Sequence, residues 1–204
     1  VVTTIVTMYL IGGNDRKTIS AILGTTLGVL ISGLSAWIFG LAADIDGYNV
    51  SNIETLVYLG QNTQIKIGGL LFAGILIASL GAVMDVAMSV SSAIAEIHDK
   101  SKTLGMKELF ISGMHVGKDM MGTMSNTLIL AFAGGSISVL VLDYAYNLPL
   151  RQIINSYSIG IEIMQGIAGS IGVILTVPTT AFMAALLYGA KRNINVHSSQ
   201  EDTQ

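Results

Sequence analysis

IGGLLFAGILIASLGAVMDVAMSVSSAIAEI, residues 67–97, decides the fold. A helix that crosses a bilayer needs about 20 mostly apolar residues. This stretch is longer than that and holds only two charged side chains, Asp85 and Glu96. Three more stretches qualify: 19–43, 120–142 and 159–190. The spans at 67–97 and 159–190 exceed the need, which predicts tilting, kinking or a break. Residues 1–11 are apolar but cover only about half a membrane at 1.5 Å per residue. They read as the end of a helix. A signal peptide does not fit, because the basic n-region and the small-residue cleavage site are missing. The expected fold is all-α, a polytopic transmembrane helical bundle of four complete spans plus a partial N-terminal span. Residues 1–192 form a single transmembrane domain, and 193–204 a polar cytoplasmic tail that frays.

Composition agrees. Of the 204 residues, 51% are hydrophobic and 11% charged, with a mean hydropathy of +0.67. A soluble domain carries roughly 25% charged residues, so a soluble enzyme or a disordered regulator is excluded. The net charge of −3 leaves no basic footprint, so nucleic acid is not an expected partner. The absence of cysteine excludes a disulfide scaffold, a thiol nucleophile and Cys-ligated metal. Under alternating topology, one side holds Arg16, Lys17, Lys100, Lys102, Lys107, Lys118, Lys191 and Arg192, and the other only Lys66 and Arg151. The positive-inside rule makes the first side cytoplasmic, with the 98–118 loop and the C-terminus. The 44–66 loop, with Asp44, Asp46 and Glu54, then faces out. Residues 107–118 read equally as a short interfacial amphipathic helix or as ordinary loop.

Within the spans, side chains of similar kind fall on single faces. Ser20, Gly24, Gly28, Ser32, Ala36 and Gly40 recur every fourth residue, a packing ridge of the small-xxx-small kind. Gly74, Ala78, Gly81, Asp85, Ser89, Ser92 and Glu96 share one face of the next span. A carboxylate within a span is costly in hydrocarbon and marks a pathway, relay or ion site, or else a structural bond to a neighbour. Asp85 sits about 15 Å from the cytoplasmic end of its span. Asp119, Thr123 and Asn126, with Thr127 beside them, form a stripe on the third span. Asn126, about 10 Å deep, is expected to donate to Asp85 and hold it ionised. Gly134 and Gly135 permit a bend or a close contact. The last span carries Glu162, Gln165, Gly169, Gly172, Thr176 and Thr180 on one face. Pro178 frees a carbonyl one turn earlier, which suits either an ion or substrate site or a plain kink. These faces together outline a polar interior of Asp85, Ser89, Ser92, Thr123, Asn126, Thr127, Thr176, Thr179 and Thr180, whose oxygens suit a proton or a hard cation.

Catalytic signatures are missing: neither His-Glu-x-x-His, nor Gly-x-Ser-x-Gly, nor a phosphate-binding loop occurs. Asp85 and Asp119 do not make a proteolytic pair, because Asp119 is placed at the surface. An enzyme is not expected, and no cofactor is called for. Seven of the ten methionines fall between Met84 and Met124. Without cysteine or paired histidines they read as flexible core filler rather than a soft-metal site, and the identity of any metal stays open. His98, His115 and His197 read as isolated, solvated loop residues.

Residues 80–90 (LGAVMDVAMSV), 112–132 (SGMHVGKDMMGTMSNTLILAF) and 169–181 (GSIGVILTVPTTA) resemble the YibE/F-like family of bacterial multi-pass membrane proteins. The resemblance extends over most of the chain. It implies an integral membrane protein, transport-related, often encoded as one of an adjacent pair. The family's motif falls on Asp85, Asp119, Gly122, Thr123, Asn126, Thr127 and Glu162. The chain departs from it at His115 and Lys118, where the family pattern has Asn and Arg. The expected function is therefore a secondary transporter or permease component of the cell membrane for a small solute or ion. Expected partners are the lipid bilayer and a like or related membrane subunit in an oligomer. The alternatives are a subunit docking a cytoplasmic ATPase through 105–118, and a scaffold without a transport site.

Overall fold

The computed structural model of the chain describes residues 2–43 and 67–201. Among the described residues seven helices follow in order: α1 (Val2–Gly12), α2 (Arg16–Ala42), α3 (Ile67–Lys100), α4 (Met106–Gly135), α5 (Ile137–Ala145), α6 (Leu150–Ile154) and α7 (Tyr157–Glu201). There is no strand among those residues. Of these helices three are long and apolar enough to cross a membrane, or four spans result when the bent pair α4–α5 is taken as one. The acidic 44–66 loop lies outside the described residues.

Turns are set by local chemistry. Gly13, at φ +67°, ends α1 in the left-handed conformation that glycine adopts without strain. Its N–H donates to the Tyr9 carbonyl at 3.0 Å. The Thr18 hydroxyl returns from α2 to the Gly12 carbonyl at 2.9 Å. At the other lysine-rich turn, Glu108 reaches back to accept the Gly105 N–H at 2.8 Å. That carboxylate at the third helical position starts α4 at Met106.

This start corrects the third span. The expected 98–118 loop shrinks to residues 101–105, and 106–118 are the first turns of the spanning helix rather than an interfacial helix. The apolar residues of this segment divide, with Val116 and Ile111 exposed and the others turned to the core. Leu109 is fully buried, Gly113 and Gly117 are buried, and Phe110 and Met114 pack on the same core. The span then bends by 42° at Ser136, directly after Gly134 and Gly135. The longer helices α3 and α7 stay unbroken, so excess length did not predict the break. Pro178 sits inside α7 without ending it. The adjacent Thr179 hydroxyl bonds back to the Leu175 and Thr176 carbonyls, each at 2.9 Å, beside the Ile174 carbonyl that the proline leaves without its usual donor. Helix α7 continues to Glu201.

The core lies where α2, α3 and α4 close around α7. Val83, Val86, Val90 and Ile94 of α3 meet Leu109 and Leu128 of α4 and Val173, Val177, Ala181, Ala184 and Ala185 of α7. Met114, Met120, Met121 and Met124 pack against this cluster, the gap-filling use of methionine. His98 is not a solvated loop residue. It lies on α3, partly buried, with its ring 5.1 Å from that of Tyr188. His115 is exposed on α4.

Candidate functional site

Polar groups within the spans fall into two zones that differ in surroundings. The inner zone is the α2 ridge. Ser20, Gly24, Gly28, Ser32 and Ala36 are buried against α3 and α7. A Cβ at Gly24 would fall on the Thr180 hydroxyl. One at Gly28 would fall on the Thr176 hydroxyl and on Val83, and one at Gly172 on Ser32. The ridge thus packs within the chain, and the missing side chains are what let the backbones close. Hydroxyls in this seam are satisfied locally. Thr176 donates to the Gly172 carbonyl at 2.6 Å. Ser32 donates to Ser79 at 3.2 Å. Ser20 and Ser91 oxygens lie 2.5 Å apart, both within reach of the Lys17 carbonyl. Thr180 is fully buried with no hydrogen-bond partner for its hydroxyl.

The outer zone corrects the expected polar interior. Asp85 is exposed on α3, in line with exposed Gly74, Ala78 and Gly81 and half-buried Ser89 and Ser92. Asp119, Thr123, Asn126 and Thr127 are all exposed on α4. Both stripes lie opposite the apolar faces that form the core. The sequence pairs these residues correctly on each helix, but turns neither stripe inward. Thr176 and Thr180 therefore do not share a path with Asp85: they are sealed against α2.

The register of α3 on α4 corrects a second expectation. Gly113 packs against Ile94, and Leu128 and Ser79 both reach Gly169. Running antiparallel, this register sets Asp85 level with Gly122 and Thr123, not with Asn126. Among the described residues Asn126 donates no hydrogen bond to Asp85. The Thr123 and Thr127 hydroxyls instead bond back to the carbonyls of Asp119 and Thr123, at 3.1 and 2.9 Å. Asp119 is not at the helix start either. It lies about 20 Å along α4 from Met106 and within about one turn of the Asp85 level. Depth therefore does not separate the two carboxylates.

The α3 stripe ends in a polar cavity of about 570 Å³, lined by Asp15, Arg16, Lys17, Ser92, Glu96, Asp99 and Tyr188 among others. Of these the sequence reading singled out only Ser92 and Glu96 on the stripe. The charged turn before α2 was legible as charged, but its meeting with α3 was not. Glu162 stands apart, half-buried near the start of α7 and close to the α4–α5 bend. Among the described residues no group of three or more His, Asp or Glu is placed to hold a metal ion.

No curated protein and no solved structure matches the chain. A family model described as YibE/F-like protein does match, over residues 1–190. That match spans every helix of the core and both polar stripes, and the chain belongs to the YibE/F-like family.

Proposed function

We propose that this chain is one subunit of a membrane transporter for a small solute or ion. Its polar path would run along the outward stripes of α3 and α4, completed by a second membrane subunit. The observation that carries the reading is the exposure of Asp85, Asp119 and Asn126 on the outside of the bundle at mid-helix depth. Facing lipid, a carboxylate there is costly, so such groups face a water-filled cavity or another protein surface. Small neighbours Gly74, Ala78 and Gly81, with open space beyond each glycine, leave room for a facing helix or for solute. The polar cavity at Ser92 and Glu96 supplies a mouth at the lysine-rich end, which the positive-inside rule makes cytoplasmic. Asp85 is the binding or coupling carboxylate in this scheme, with Asp119 and Thr123 beside it.

Single cysteines in this cysteine-free chain test it in intact membranes. A water-soluble maleimide should label positions 85, 89 and 92 and spare 83, 86, 90 and 94. A thiol facing lipid stays protonated and unreactive. Labelling confined to the lysine-rich end, with 85 silent, would sink the aqueous path and leave a scaffold whose stripe only glues subunits.

A further inference from the structure

Near the bend between α4 and α5, a cavity of about 300 Å³ lies against the start of α7. Ile129 and Phe132 of α4, Leu140 of α5 and Ile163 of α7 give it an apolar wall, and Glu162 is the one charged group lining it among the described residues. Ile129, Leu140 and Ile163 are also exposed, so the mouth opens on the flank of the bundle. Glu162 lies about 8 Å from the start of α7. The Ser136 hydroxyl, buried in the same wall, donates to the Phe132 carbonyl at 3.2 Å. Among the described residues Glu162 has no ion-pair partner, and no lysine or arginine lines the cavity. A half-buried lone charge in an apolar setting calls for a counter-charge that brings its own apolar body.

We propose that this cavity binds an amphipathic cation, with its ammonium on Glu162 and its apolar part against Phe132, Ile129 and Ile163. The volume sits at the small end of ligand cavities, which suits a one-ring amine rather than a large drug. The site stands independently of the transport path, at the opposite end of the bundle from the polar cavity near Glu96.

Binding of radiolabelled benzyltrimethylammonium to the purified full chain tests it, in a maltoside detergent that has no ammonium of its own. Saturable one-site binding is expected. Glu162→Gln should weaken it by at least about tenfold. Gly166→Leu should block it with the charge intact, because a Cβ at Gly166 meets Ile129 and Phe132 at 3.9 Å and the rest of a leucine fills the cavity. Neopentylbenzene, the uncharged carbon isostere, should compete poorly. Displacement by added phosphatidylethanolamine would identify a lipid ammonium as the natural occupant, and its failure a free one. Absence of saturable binding overturns the proposal, as does equal competition by neopentylbenzene. If Glu162→Gln does not fold, Gly166→Leu decides: undiminished binding in that folded variant also overturns it.

Discussion

The α2–α7 seam and the α3–α4 outer flank use the same small and polar residue types in opposite ways. In the seam, glycines are notches filled by threonine and serine side chains, and Ser20, Ser32 and Thr176 each find a nearby acceptor while Thr180 does not. On the flank, the glycines of α3 face open space and two carboxylates stand exposed at the depth of the apolar core. The lesson is that a hydroxyl in a membrane helix is cheap, because its own helix offers a carbonyl four residues back. A carboxylate has no such local acceptor to donate to, nor donors in the helix interior to receive. Under the proposed function, water or a facing protein surface supplies its partner.

Glycine-to-leucine exchange breaks this contrast most sharply. Gly28→Leu should cost several kcal/mol and leave little folded chain, since the new side chain would overlap Thr176 and Val83. Gly81→Leu, with nothing within 4 Å, should leave thermal stability in detergent within about 0.5 kcal/mol, and, if the proposed second subunit covers this flank, should shift the protein toward smaller species on gel filtration. Equal loss of stability in both would erase the distinction between seam and flank. A smaller effect comes from the Ser20–Ser91–Lys17 bonds. Ser91→Ala removes a buried hydroxyl 2.6 Å from the Lys17 carbonyl and should cost about 1–2 kcal/mol in chemical unfolding. A neutral result would mean that water or Ser20 alone satisfies that carbonyl. The smallest effect separates two threonines of one face. Thr180→Val deletes an unpartnered hydroxyl and should be neutral or slightly stabilising. Thr176→Val loses the bond to Gly172 and should cost about 1 kcal/mol. Reversed signs would show that Thr180, not Thr176, anchors the seam.

Much of this was legible along the chain. Spacing put the six ridge residues on one face, and five of them are buried together. Spacing also put Asp119, Thr123 and Asn126 on one face, and Gly134–Gly135 marked the bend. The start of α4 was written in Glu108, three residues after Gly105, but the lysines around it masked a span as a loop. Ser79 and Ser91, which tie α3 to α2, lie off the Asp85 stripe and carry no polar spacing pattern of their own. The face opposite, with Val83, Val86, Val90 and Ile94, was the signal that could have found them.

Periodicity and hydropathy thus determined by themselves that the chain is a bundle of spanning helices, and which residues share each face. Only the tertiary structure decided which face turns inward. In water a polar stripe must face out, and the rule alone orients a helix. In a membrane the surroundings are apolar on every side, so the cost of a carboxylate in lipid argued for turning the Asp85 face inward, while the valine face was no less suited to a core. Close packing settled it: the valines and Ile94 fill the space against Leu109, Leu128 and Val177, and the stripe with Asp85 is left on the outside.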